Sequence, residues 1–576
     1  MEHLKKSIRV ASGEGKVDLL IKNGRVVNVF SGQIERTNVA IWNGLIVGFG
    51  DYQAKKVLDV EGAFLCPGLI DGHVHIESSM VTIPEFARAI LPHGTTTVVT
   101  DPHEIANVLG SRGVRWMAES ARGVPLNVHF MVPSCVPATP METAGAVLGA
   151  EDIRALLKEP WALGLAEMMN FPGVIHGDPE VLKKIEAAEE KRIDGHAPLL
   201  SGKDLNAYLV AGIRSDHETT NQKEAKEKLK NGMWIMAREG TTARNLKDLL
   251  PLVTPENARR FLFVTDDRHP RELIEEGHID SMVRKAIQWG TDPVLAIQMA
   301  TLNAAEYFRL DGLGALAPGY RADIVVFDHL ARFQVKKVLK DGVLIAEDGK
   351  MLRRSMAQAL TRKDASSPAR TIRIKSLSLN RLALRSDTPV VKVIQLIPNQ
   401  IITKKVIRRI PLREGVAHPD IREDVLKMVV IERHQASGNI GIGFVQGFGL
   451  KKGAIGSTVA HDSHNLVIVG TNDQDILETA RRIQSIGGGM AVVSEGKVLA
   501  SLPLPIAGLM SDASVQEVNH QLEELNASAK KIGGQVPDPF MVLSFLALPV
   551  IPELKLTDKG LVDVNQFKIV PLFGEE

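Results

Sequence analysis

From residue 62 to about residue 310, short apolar runs alternate with longer segments whose apolar residues recur at helical spacing. Eight runs read as strands: the one leading into His73, then 95–100, 126–132, 162–166, 193–195, 211–215, 234–237 and 261–265. Eight strand-then-helix units predict a (β/α)8 barrel, whose chemistry sits where the strands end. An open doubly wound sheet uses the same units but gathers its ligands at one switch point. Before the barrel, residues 17–51 alternate apolar and polar positions, with turn pairs at Asn23-Gly24 and Asn43-Gly44 that predict β-hairpins. After it, residues 312–328 return to β character and 338–345 read as another hairpin. Strands from both flanks are expected to pair into one split β module. A polar, Pro-bearing stretch at 363–370 reads as a linker into a mixed α/β block, with helices at 473–486 and 515–532 and strands at 426–432, 466–470 and 490–494. The expected architecture is α/β: a small β module from 1–62 and 311–360, a barrel over 63–310 and a C-terminal α/β domain over 371–576.

Composition narrows the partners. A chain of 576 residues is too long for one core, and 44% hydrophobic residues support compact folding. Lys and Arg number 69 against 68 Asp and Glu, so a net charge of +1 offers no field for nucleic acid, and a small-molecule substrate is expected. Cys66 and Cys135 provide no disulfide framework, residues 1–6 lack the apolar core of a leader, and no run reaches the roughly 18–20 apolar residues of a membrane helix. The expectation is a cytoplasmic protein with no membrane partner. A C-terminal block of about 200 residues without a recognisable site of its own is expected to make subunit contacts in a homo-oligomer.

The strand ends carry the chemistry. In an extended chain, residues two apart share a side, so His73 and His75 can face one ion while Val74 packs behind them. Later strands end at Glu167, His196, His217 and Asp266. Four imidazoles and two carboxylates can hold two divalent ions with room for water, whereas one structural ion needs only four closed ligands. Two ions imply catalysis. Other signals are weak. The run at 441–447 has Gln446 where the third glycine of a dinucleotide loop belongs, and 487–489 lacks the lysine and hydroxyl of a phosphate loop and reads as a tight turn. The charged run 223–230 reads as an exposed helix face.

Seven segments carry a family resemblance: PGLIDGHVHIESSM at 67–80, HGTTTVVTDPHEIANVL at 93–109, residues 195–198, 215–218, 265–270 and 292–305, and GSTVAHDSHN at 456–465. The chain resembles the adenine deaminase family of the amidohydrolase superfamily. The His-x-His pair and PGYRAD (318–323) are superfamily-wide, while TDPHE and HDSHN resemble the deaminase branch. The resemblance implies hydrolytic deamination of adenine to hypoxanthine and ammonia, as in purine salvage, at two divalent ions, manganese or iron first and zinc as the third option. It implies that His73, His75 and Asp266 hold the more buried ion, His196 and His217 the second, and Glu167 bridges them. Many relatives in the superfamily have a carboxylated lysine at the bridge, so an encoded glutamate needs no carbon dioxide.

C6 of adenine is a poor electrophile and water a poor nucleophile, and a metal ion brings the pKa of water from about 15.7 to about 7. Asp266 is the expected catalytic residue, taking a proton on attack and handing it to the ring or the departing amine. Asp101, His103, Glu218 and Arg238 are the expected substrate-binding residues, with Glu104, Glu239 and His269 at neighbouring strand ends and Glu77 behind the ligands. His461, Asp462 and His464 are expected to close over the site, to join a partner subunit's site, or to form a solvated turn. Two rival readings are a cyclic-amide hydrolase of the dihydroorotase or allantoinase type and an inactive scaffold. The first expects lysine at position 167 and no long C-terminal block; the second expects lost ligands, and none is lost here.

Overall fold

The computed structural model describes residues 1–188, 190–352, 368–398 and 400–574. The 353–360 end of the expected β module and residues 363–367 of the expected linker lie outside them.

Five parallel strands pair in chain order: β1 (Leu69–His75), β2 (Thr95–Thr100), β3 (Asn127–Val132), β4 (Ala162–Met168) and β5 (Arg192–Gly195). Three more form a second parallel arc: β6 (Ser215–Asp216), β7 (Trp234–Arg238) and β8 (Phe261–Val264). Main-chain contacts join the arcs into a barrel. Arg214 N donates to Ile193 O at 3.2 Å, and Asp266–Asp267, the continuation of β8, pairs with Val74 and His75 of β1. Alternate residues of these strands, among them Ile70, Val99, Met131, Ala166, Leu262 and Val264, fill the barrel interior. Phe261 and Phe263 point the other way, into the helical shell.

The sixth strand begins later than its sequence suggests. Residues 211–215 read as a strand, but Gly212 adopts φ +97° just after the helix Gly202–Val210, and ladder pairing begins only at Ser215. Gly195, at the end of β5, permits the close approach of the next strand: a Cβ there would sit 2.2 Å from Ser215 O.

Strands from both flanks share one nine-stranded sheet, in which Phe64–Pro67 pairs antiparallel with Ile324–Phe327. Asn43-Gly44 turns one hairpin as expected, between Ile34–Trp42 and Leu45–Phe49. Asn23-Gly24 does not. The strand Val17–Val27 runs straight through it, pairing with Ile34–Trp42 on both sides of a bulge that Asn23 absorbs at φ +60°. An N-terminal helix, Glu2–Ala11, precedes the module and buries Val10 against Val17, Leu20 and Trp42.

The C-terminal block builds an eight-stranded mixed sheet that includes Val425–Ile431, Ile440–Gln446, Leu466–Gly470 and Gly489–Ser494, and carries the helices Asp473–Ser485 and Val515–Lys531. The loop candidate at 441–447 is thus mainly strand, Ile440–Gln446. The block shares a core with the barrel: Val74, Ile76 and Phe86 join Met428, Val467 and Met510 in one buried cluster. Ser511 N donates to Met80 O at 2.8 Å, so the block is anchored just beyond the end of β1. No helix among the described residues is long and apolar enough to cross a membrane.

The charged run 223–230 corrects another expectation. It forms the helix Gln222–Lys230, but only part of it is exposed. Lys228 is 0% exposed, and its ammonium donates to Asp216 Oδ2 (2.9 Å), Glu224 Oε1 (2.6 Å) and Ala197 O (2.8 Å). The i,i+4 spacing puts Glu224 and Lys228 on the same inward side, against the strand that presents His217. Lys228→Met is expected to lose about 3–5 kcal/mol of stability by leaving buried carboxylates unpaired. Urea titration checks this, and adding Asp216→Asn is expected to restore part of the loss.

Candidate metal centre

The ends of β1, β4, β5, β6 and β8 converge on the Glu167 carboxylate. Its Oε1 faces His75 Nε2 at 3.3 Å and His73 Nε2 at 3.6 Å, while its Oε2 faces His196 Nδ1 at 2.6 Å and His217 Nε2 at 3.2 Å. Asp266 Oδ1 closes the first group, 3.1 Å from His75 Nε2 and 3.8 Å from His73 Nε2. The six residues chosen from sequence therefore form one cluster, with one glutamate oxygen turned to each half. Donor atoms bound about 2.0–2.1 Å from one ion lie roughly 3.0–3.4 Å apart, a range that holds three of these six spacings. Sets such as His73, His75 and Asp266, or His73, Glu167 and His217, can hold a cation.

The ligand ends are oriented from behind. His75 Nδ1 lies 2.9 Å from Asp101 O, which as an acceptor requires the proton there and leaves Nε2 its lone pair. Buried Asp71 accepts from the backbone N of His73 (3.2 Å) and Thr265 (3.1 Å), tying β1 to β8. Tyr208 donates to Met168 O at 2.8 Å and accepts from His196 N at 3.1 Å, fixing the start of that loop. Asp266 itself adopts φ +58°, a costly conformation for aspartate that is held by its pairing with β1.

Arg238 organises the far side. Its guanidinium donates to Asp266 Oδ2 and to both oxygens of Glu218, Nη2 to Oε2 at 3.0 Å. Burial opposes ionisation of Asp266, yet Arg238 and His75 hold its carboxyl well below the usual carboxylate range. Burial likewise opposes ionisation of Glu218, and Arg238 keeps it below its ordinary value. The pair that sequence marked for substrate binding thus positions Asp266 while also lining the cavity.

A cleft enclosing about 620 Å³ of empty space, part of it open to solvent, lies over this cluster. His103, Glu218 and Arg238 line it; Asp101 does not, because it holds His103 Nδ1 at 3.1 Å. Glu104 lines it too, but Glu239 is engaged by Lys285 (2.8 Å) and His269 faces Asp538 (3.7 Å). Glu77 Oε1 accepts from Ile105 N at 3.2 Å, bracing the helix that carries His103. His461, Asp462 and His464 are all buried and lie over the barrel of their own chain, so they are not a solvated turn. His461 Nδ1 contacts Glu104 Oε1 at 2.6 Å. Sequence reasoning missed the apolar roof, made by Ile401, Phe545, Leu548, Val550 and Ile551. Such residues carry no signal of their own, since apolar side chains are expected in any core.

Lys555, buried beneath this roof, donates to Ile401 O at 2.9 Å. Burial pushes its amine down to about 7. Between pH 7 and its ordinary value the unfolded chain holds the proton and the folded chain does not, so this group's contribution to stability rises with pH, by at most about 1.4 kcal/mol per unit. Urea denaturation at pH 7 and pH 9 is expected to show this gain in the native protein and its loss in Lys555→Met.

Residues 64–345 match the amidohydrolase family, which implies divalent metal binding, and residues 400–568 match the adenine deaminase C-terminal domain. An adenine deaminase of Dehalococcoides mccartyi is 52% identical over 570 residues, 99% of each chain. Adenine deaminase 2 of Carboxydothermus hydrogenoformans is 50% identical over 573 residues, 99% of this chain and all of its own. This chain belongs to the adenine deaminase family. The similarity to these family members spans both the barrel and the segment that roofs its mouth.

Proposed function

We propose that this cleft hydrolyses adenine to hypoxanthine and ammonia. The observation that carries the reading is Glu167, a carboxylate encoded directly in the chain with one oxygen toward His73, His75 and Asp266 and the other toward His196 and His217. His73, His75 and Asp266 would hold one divalent ion, His196 and His217 a second, with Glu167 shared between the two groups. Bound there, the ions supply Lewis acidity that makes water a nucleophile near neutral pH. Imidazole and carboxylate donors suit manganese or iron, with zinc as the third option.

The side chains supply the rest. His103, Glu218 and Arg238 bound the space beside the cluster, and the apolar roof excludes bulk water from the planar substrate. Asp266 is the proton carrier: held ionised by Arg238, it accepts a proton from the attacking water and returns it to the substrate. A C–O bond forms at C6 and the C–N bond to the amino group breaks. One proton of the water leaves with the amine as ammonia, and the other ends on the ring. Arg238 keeps Asp266 aimed throughout. The reading extends to a cytoplasmic, homo-oligomeric enzyme of purine salvage, supported by the two free, buried cysteines and by the size of the C-terminal block.

The test is ammonia release from adenine by the metal-loaded protein, with dihydroorotate and allantoin as controls. Turnover of adenine alone is the expected result. Turnover of a control in its place, or of none of the three, overturns the reading.

A further inference from the structure

The mouth of the barrel is finished by a segment distant in sequence. His461 stacks on Phe545 (ring centroids 4.6 Å apart, planes 17° apart) and is tied to Glu104, while Asp462, the next residue, lines the cleft. Asp462 is 3% exposed, and its Oδ2 has no hydrogen-bond partner among the described residues. A buried acceptor left without a donor is costly, so a ligand that supplies one is favoured at this position. The proton carriage described above leaves Asp462 unused.

The substrate offers few ways to satisfy it. With C6 and its amino group turned to Asp266, N1 and N3 of adenine are acceptors. The remaining N–H donor of the free base is on its imidazole ring, at N9 or N7 according to tautomer. Asp462 lines the same cleft as Asp266. His103 stands between the two regions, its Nδ1 3.4 Å from Glu167 Oε1, and His103, Glu104 and Asp462 each bring one polar atom within 4.8 Å of the others. Burial raises the Asp462 carboxyl to about 6 against the pull of His103, which leaves it an acceptor in mildly alkaline solution.

We infer that Asp462 accepts the imidazole N–H of the purine and thereby selects the free base over N9-substituted purines. An N9 substituent removes the proton in both tautomers, so a nucleoside or 9-alkyl purine leaves the carboxylate unpaired. This deepens the reading above and rests on it.

The experiment compares kcat/KM for adenine and 9-methyladenine in the metal-loaded native protein, Asp462→Ala and Asp462→Asn. Asp462→Ala is expected to lower the value for adenine about 10- to 100-fold and to leave 9-methyladenine within about threefold, so that the preference collapses. Asp462→Asn, which keeps the shape and one acceptor oxygen, is expected to fall between, and it supplies the comparison if the alanine variant does not fold. Where turnover of 9-methyladenine is too slow to follow, its inhibition constant against adenine replaces kcat/KM. An equal loss on both compounds, or no loss on adenine, overturns the inference while the deamination reading stands. A native protein that releases no ammonia from adenine overturns the deamination reading instead.

Discussion

Glu167→Gln is expected to bind one divalent ion where the native protein binds two, and to lose at least about 10³-fold in kcat. Glutamine fills the same volume, so the barrel mouth should keep its shape. What changes is charge and donor pattern. Glu167 turns one oxygen to each half of the cluster, toward His75 at 3.3 Å on one side and His196 at 2.6 Å on the other. An amide carries no charge to offset two cations and turns an N–H₂ group toward one set of imidazole nitrogens, whose lone pairs must also point inward. The loss of one ion removes its share of electrostatic stabilisation at the reacting carbon. Metal analysis of the dialysed variant together with ammonia release checks both parts. Two bound ions with activity within tenfold of native would show that Glu167 does not bridge.

Asp266→Asn is expected to lower kcat by about 10²- to 10⁴-fold, the usual worth of a positioned proton carrier, with little change in KM for adenine. The side chain is singular in three ways. Its Oδ1 faces His75 and His73, its Oδ2 is gripped by Arg238, and its backbone is held at φ +58°. Asparagine tolerates that backbone and keeps an oxygen for the cluster, so folding should survive. It cannot accept and return a proton at the same atom. A solvent isotope effect on kcat separates the two contributions: it is expected to grow in the variant if proton transfer has become limiting. A kcat within threefold of native removes Asp266 from the proton path.

The barrel and its six converging residues were legible because both follow from local rules. Strands such as Phe261–Val264 announce themselves by unbroken apolar runs, and ligands such as His217 and Asp266 stand at their ends, where parallel barrels place reactive groups. Features decided by tertiary context were not legible. The Asn23-Gly24 pair looks like a hairpin, yet the residues on either side of it keep pairing with one neighbour, so it becomes a bulge. Lys228 looks like a surface charge in a charged helix, and only the position of Asp216 behind it makes it a buried anchor. The roof of Phe545, Leu548, Val550 and Ile551 lies almost 300 residues beyond β8, and no spacing rule connects the two. The HDSHN segment could be singled out by its chemistry, but its place over the barrel of its own chain required the fold.

In the proposed site six side chains would hold a pair of cations, one on each side of Glu167. Anomalous diffraction from crystals of the manganese-loaded protein tests it most directly. Two peaks roughly 3.5–4 Å apart, with the Glu167 carboxylate between them, are expected. A single peak, or a pair lying away from Glu167, would contradict it.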